Sequence, residues 1–139
     1  MAVVNYNPIT QENIEEAYEG IFAPWVKDLG LCDFRVDHGF TSARLPISDR
    51  LKFSSGAVCG QALMAVIDTV TAIAMGTTER TPKGTVYQHT HFLRPAIDED
   101  FLAEAKIMRF GKATAYAHAK VIGVTSGKMI AHAVLEFAF

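Results

Sequence analysis

One carboxylate stands out for its surroundings. Asp68 lies within Ala57 to Met75, a stretch that is otherwise almost wholly apolar and reads as a helix over about 57–76. A carboxylate so placed can attack an acyl carbonyl or activate the water that does. Cys59, Gly60 and Gln61 stand where that helix begins. The amides of Gly60 and Gln61 then have no partner within the helix. With the helix dipole behind them, they can face an oxygen that becomes negative. Gly60 has no side chain to keep a ligand carbonyl from the backbone. Asp68, Gly60 and Gln61 are therefore the candidate catalytic residues. Each has a plainer alternative. Asp68 could be a structural acid bonded to Thr71, Thr69 or a nearby strand, since an unpaired buried carboxylate is costly. Gly60 could serve packing, and Gln61 could serve capping.

Other residues rank lower. Cys59 sits at a helix N-terminus, which suits a nucleophilic thiol. Such a thiol would want a His partner that the spacing does not place, so Cys59 reads as structural or pocket-lining. Gln61 shares a helical stripe with Met64, Ala65, Asp68, Ala72 and Met75. Met64, Met75 and Phe53 suggest an apolar pocket for aryl or medium aliphatic groups. His89 and His91 alternate on one strand face, but no third ligand is indicated and no metal is expected.

The elements that must position these groups follow from patterning. An N-terminal helix over about 10–28 has Thr10 as cap, early glutamates, and an apolar stripe of Ile14, Ala17, Tyr18, Ile21 and Phe22, with Pro24 kinking or ending it. Phe34 to Leu45 reads as two short strands around Asp37-His38-Gly39, and Thr77 to Gly84 as a loop. Gly84 to Leu93 is a strand. Phe101 to Phe110 alternates, with Phe101, Ala103, Ala105 and Ile107 on one face. Ala113, Ala115, Ala117 and Ala119 share a face of the next strand. Met129, Ala131, Ala133, Leu135 and Phe137 share a face of the last, after the Ser126-Gly127 hairpin signal. A strand face of alanines leaves room for something bulky, and the apolar helix is the available candidate. The expected fold class is thus α+β: an antiparallel sheet curled around one buried helix.

That order of elements resembles the hot-dog fold. Cys59-Gly60-Gln61, the run Ala62 to Ile67, and Asp68-Thr69 resemble the helix signature of the PaaI-like acyl-CoA thioesterases, where His-Gly-Gly is followed at this spacing by an acidic residue. Phe92-Leu93-Arg94-Pro95-Ala96 resembles the family's strand end, and Arg109-Phe110-Gly111-Lys112 its Gly-Lys/Arg turn. The resemblance runs from about Arg44 to the C-terminus. In place of the family's histidine stands Cys59, and Gln61 replaces the second glycine. Phe53, beside Ser54 and Ser55, stands where a polar residue usually lies.

The resemblance implies hydrolysis of an acyl- or aroyl-CoA to a carboxylic acid and CoA, with coenzyme A entering only as part of the substrate and no further cofactor. It implies substrate-binding roles for Cys59, Phe53, Met64, Thr69, Thr85, Arg94, Arg109 and Lys112. Thr85 matches a Ser/Thr position that can hold the water, and the cations, like Arg80 and Lys83, could meet phosphates at the site mouth. Geometry adds a constraint. Gly60 and Asp68 are eight residues apart, about 12 Å along one helix. They cannot serve the same thioester within one chain. If both act, the unit is at least a homodimer with antiparallel helices about a two-fold axis. This agrees with the family, whose sites lie at dimer interfaces; a homotetramer of two such dimers is expected. The rivals are a hot-dog hydratase or dehydratase of an enoyl or hydroxyacyl thioester, which usually pairs His with an acid, and a non-catalytic acyl-CoA binding module.

The totals set the frame. The 139 residues suit a single domain over 1–139, and half of them are apolar, enough for a core. A net charge of -2 carries no nucleic-acid footprint. Two cysteines make no disulfide scaffold, and MAVVNYNPIT shows no signal-peptide pattern. The cytoplasm is the expected compartment. A membrane span is not expected, because Asp68 would sit at mid-bilayer; the apolar stretch reads instead as a helix surrounded by protein on every side.

Overall fold

The computed structural model describes residues 4–139. Helices α1 (Ile14–Ile21) and α2 (Pro24–Lys27) precede strands β1 (Cys32–Asp37) and β2 (Phe40–Leu45). Helix α3 (Gly60–Met75) follows, then β3 (Gly84–Phe92), β4 (Phe101–Phe110), β5 (Thr114–Gly123) and β6 (Met129–Ala138). The six strands form one antiparallel sheet in the order β1-β2-β4-β5-β6-β3. Helix α3 lies across one face of it, and the small α1 and α2 stand to the side. This is the α+β hot-dog architecture. No helix among the described residues is long and apolar enough to cross a membrane.

The face under α3 is built from small residues. Ala103 and Ala105 of β4, Ala115, Ala117 and Ala119 of β5, and Ala131 and Ala133 of β6 are all buried. Onto them α3 presents Val66, Ile67, Val70, Ile73 and Ala74, none of which retains exposed surface. Alternation along each strand puts the alanines inward and charged residues outward, so small side chains admit the helix and large ones fill the ends of the core.

The N-terminal region differs from a single helix over 10–28. Thr10 lies in the turn before the helix and does not cap it: its hydroxyl accepts the Asn13 N–H at 3.3 Å and Asn13 Oδ1 accepts the Thr10 N–H at 2.8 Å, while α1 starts at Ile14 with Asn13 as a cap residue that makes no side-chain cap bond. The chain then becomes extended at Phe22 and Ala23, and Pro24 opens a separate short helix. The residue before a proline is pushed out of the helical region, while proline itself suits a first turn.

The central helix also begins later than expected. Val58 N–H donates to Ala96 C=O at 2.9 Å and Cys59 N–H to Leu51 C=O at 2.8 Å. These bonds hold Val58 and Cys59 outside the helix and fix where α3 starts. The linker from β3 to β4 is tied down in turn. Asp100 accepts the Ile47 N–H at 2.8 Å and pairs with Arg44 at 2.6 Å, and both hold its carboxyl below the usual range.

Helix α3 is not enclosed on every side, as its apolar sequence suggested. Gln61 and Met64 are exposed, and Ala65, Asp68 and Ala72 are half-buried. These five residues form one stripe that the chain's own sheet leaves open. Sequence periodicity was masked because this stripe carries Met and Ala as well as polar residues.

If the alanine face sets the helix position, Ala103→Leu should overpack it and lower unfolding stability by about 1–3 kcal/mol in urea. An unchanged midpoint would mean that α3 does not bear on that face.

Candidate functional site

The open stripe of α3 carries Asp68, and the second residue of β3 meets it. Thr85 Oγ1 donates to Asp68 Oδ1 at 2.6 Å. Among the described residues, Asp68 Oδ2 accepts no hydrogen bond. Of the structural partners considered for Asp68, the neighbouring strand is the one that supplies a bond. Thr69 and Thr71 do not: their hydroxyls donate back to the carbonyls of Ala65 and Ile67, each at 2.7 Å, and both residues are buried. Thr69, expected among the substrate-binding residues, faces the interior with its hydroxyl occupied.

The N-terminus of α3 forms a second locus. Cys59 is the capping residue but makes no side-chain cap. Leu63 N–H is the first to reach an intrahelical carbonyl, that of Cys59, at 3.2 Å. The amides of Gly60, Gln61 and Ala62 therefore point past the helix end. Beside Gly60 opens a cleft of about 520 Å³, lined among others by Phe53, Leu63, Phe92, Leu93 and Arg94. Gly60 has no unusual backbone conformation, but a Cβ there would lie 3.3 Å from the Phe92 ring. Glycine at this position keeps space open at the amide rather than serving a turn.

The remaining candidates are distributed as follows. Cys59 and Gln61 open onto a separate hollow of about 320 Å³ with Trp25 and Arg50. Met64 is 39 % exposed on the stripe between the two loci, and Met75 is fully buried in the core. Arg94 stands at the Gly60 cleft and donates to Met129 C=O at 2.9 Å. Arg109 and Lys112 are exposed at the other end of the molecule. There Arg80, just after α3, donates to the carbonyls of Lys112 and Gly111 at 2.9 and 3.0 Å. A 16-residue helix is about 24 Å long, so one chain does not bring Arg109 and Lys112 to Gly60.

Two residues that the sequence reading passed over belong to the same surface. Gln88 Nε2 donates to Met64 C=O at 3.4 Å and to Thr90 Oγ1 at 2.8 Å. Counting back by two from Phe92, which lies over Gly60, finds Thr90 and Gln88. A register shift between Thr85 and Tyr87 then brings Thr85 onto this face as well. Strict alternation would have placed it opposite. His89 and His91 point the other way, with their Nε2 atoms 2.9 Å apart and His91 paired to His132 on β6. Among the described residues no three His, Cys, Asp or Glu side chains gather as metal ligands would.

β3 is the last strand of the sheet, so one of its edges is unpaired. Along it Val86, Tyr87, Phe92 and Leu93 are each about half exposed. Asp68 and Gly60 both open toward this edge, with Thr85 and Phe92 of the strand lying against them.

The sequence profile of the thioesterase superfamily matches residues 55–129, more than half of the chain. No curated protein matches it by sequence. Among solved structures it is similar to the PaaI protein of the E. coli phenylacetic acid degradation operon, at 21 % identity and a TM-score of 0.81 over 91 % of this chain and 90 % of that one. It is similar to zebra fish thioesterase superfamily member 2, at 18 % identity and a TM-score of 0.80 over 92 % and 94 %. A phenylacetic acid degradation-related protein of Ralstonia eutropha matches at 24 % identity and a TM-score of 0.76 over 90 % and 97 %. The profile covers α3 from before its first turn through to the β5–β6 turn, and with the shared hot-dog fold it makes this chain a member of the thioesterase superfamily.

Proposed function

We propose that the protein is an acyl-CoA thioesterase that works as a homodimer, each site taking Asp68 from one subunit and the Gly60 amide from the other. The observation that carries this reading is the Thr85 hydroxyl donating to Asp68 at 2.6 Å on the uncovered stripe of α3. That bond fixes the carboxylate rotamer and leaves its second oxygen for a water or a carbonyl carbon. The amides of Gly60 and Gln61 polarise the thioester carbonyl and hold the oxygen as it becomes negative. Asp68 attacks the carbonyl carbon or takes a proton from the water that does. The carbon–sulfur bond breaks, coenzyme A leaves as the thiol with a proton derived from water, and the hydroxyl stays on the acyl group as the carboxylic acid.

Two features support the dimer. Gly60 and Asp68 are about 12 Å apart along one rigid helix. The unpaired, half-apolar edge of β3 is the kind of surface a second strand covers. Antiparallel α3 helices about a two-fold axis set Asp68 beside the partner subunit's Gly60. The same rotation carries the partner subunit's Arg109 and Lys112 toward the end where Arg94 stands, so cations from both chains flank the mouth. The phosphates of coenzyme A are suited to such a rim.

Thiol release from acyl-CoAs tests the reading. Asp68→Ala should fold and dimerise but lose roughly a hundred- to ten-thousand-fold in kcat. Thr85→Val should lose less, because it removes the orienting bond and not the carboxylate. Near-wild-type turnover by Asp68→Ala would refute the assignment, and enoyl absorbance from a hydroxyacyl-CoA would point to a dehydratase instead.

Gly60→Ala separates packing from chemistry. The half-exposed Phe92 ring can yield to the new methyl, and Gly60 has no backbone conformation that requires glycine. Stability should hold while turnover drops by roughly a hundredfold, as when an oxyanion donor is lost. Lower stability with intact turnover would make Gly60 a packing residue.

Finally, the inactive Asp68→Ala and Gly60→Ala proteins, unfolded together and refolded, should regain activity. Their mixed dimer contains one site with neither defect. No recovery, with mixed dimers verified by mass, would place both groups in one chain's site or remove one of them from the chemistry.

A further inference from the structure

The outer face of the sheet, opposite α3, gathers four of the chain's five histidines. Register places them. His91 on β3 is the direct partner of His132 on β6, and Val134 of β6 stands between His89 on one side and His118 of β5 on the other. Alternation turns all four away from the core.

Two of these rings already converge. His89 and His91 are exposed, and their Nε2 atoms lie 2.9 Å apart with the rings nearly perpendicular. At that separation one Nε2 carries a hydrogen and donates it to the lone pair of the other. Two nitrogens bound to one Zn2+ at about 2.0–2.1 Å are themselves roughly 2.9–3.4 Å apart. A cation that takes the place of the shared hydrogen therefore needs modest ring rotations. One imidazole moves its proton from Nε2 to Nδ1, and both rings stay neutral.

His132 supplies the third nitrogen. Residues directly opposed across an antiparallel ladder hold their Cβ atoms about 4.5–5.5 Å apart, within reach of an imidazole. The His132 ring meets that of His118 edge-on, with centroids 5.5 Å apart, so three ligands do not gather until it turns. Rotation about its own side-chain bonds brings this half-buried ring from β5 toward His91. Lys120, opposite His132 on β5, is engaged by Glu104 at 3.5 Å, which offsets its charge near an incoming cation. Two histidines at alternate positions of one strand and a third across the ladder then face one point, with a fourth position left to water.

We infer that His89, His91 and His132 form a binding site for a late divalent transition metal, of which Zn2+ is the simplest case. The inference is independent of the thioesterase reading. It replaces the sequence expectation that no third ligand is at hand: the spacing within β3 shows two ligands, and the pairing of β3 with β6 brings the third. The bound ion ties the edge strand β3 to β6 on the face opposite Thr85 and Gln88.

The probe is Zn2+ alone, titrated calorimetrically into the untagged protein and into single alanine variants of the four histidines. The wild type should bind one ion per chain at micromolar concentration, and the ion should raise Tm because it binds the folded chain. His89→Ala, His91→Ala and His132→Ala should each weaken binding roughly tenfold or more. His118→Ala should leave the affinity unchanged or raise it, because it frees the His132 ring. All four side chains lie on the outer face, so the variants should fold, and their Tm without Zn2+ checks this. A wild type that binds no Zn2+ overturns the inference. Wild-type affinity in His132→Ala overturns it too, since two histidines then suffice. So do equal losses in all four variants, which mark scattered imidazoles, and undiminished binding when His89 and His91 are both alanine, which points to a thiol site at Cys32 or Cys59.

Discussion

The close approach of α3 to a sheet face made of alanines is the constraint from which the other features follow. Seven buried alanines on β4, β5 and β6 let an apolar helix settle against the sheet. Its valines and isoleucines then fill the space those alanines leave. Because the helix is wide and the sheet ends at β3, the cover runs out on one side. The stripe left open is the one that carries Gln61, Met64 and Asp68. A carboxylate in the middle of an apolar helix is thereby spared full burial without being placed in bulk solvent.

The edge strand completes that local environment. Its inner face is unusually polar for a strand over a core: Thr85, Gln88 and Thr90 all look toward α3. Gln88 reaches the Met64 carbonyl, and Thr85 reaches Asp68. The register shift near Thr85 is what allows a threonine at an odd-numbered position to join even-numbered neighbours on this face. Bulges commonly re-aim one side chain beside a functional surface. Here the effect is a single short hydrogen bond that holds the carboxylate toward the free edge, where the proposed second subunit would sit.

Much of this arrangement was legible in the residues. The alternating alanines announced both the strands and the helix they accommodate, and Asp68 was conspicuous because its neighbours are apolar. Gly60 was singled out by the resemblance to the family's helix signature, since patterning alone put the helix start near residue 57. Three things were not legible, each for a physical reason. A break at Pro24 was expected, but not that the same proline opens a second short helix after Phe22 and Ala23 turn extended, because proline suits a first helical turn as well as it ends a helix. Thr69 is as polar in sequence as Thr85, and only the helix rotation shows that its hydroxyl turns back to Ala65. His132 stands opposite His91 because β6 pairs with β3, and periodicity within an element carries no information about such a meeting.

The departures from the family's His-Gly-Gly pattern become intelligible on the same geometry. Under the proposed mechanism the groups that hold the developing charge are main-chain amides, which exist whatever side chains stand at 59 and 61. Cys59 and Gln61 open onto the hollow with Trp25 and Arg50, away from the cleft beside Gly60. Changing them reshapes that hollow and leaves the amides in place, provided position 60 stays small and the start of α3 stays fixed. The second condition is met by backbone bonds, Val58 to Ala96 and Cys59 to Leu51, which again are indifferent to side-chain identity. Under the proposed mechanism the demanding positions are Gly60, for the space it leaves, and Asp68 with Thr85, for the hydrogen bond between them.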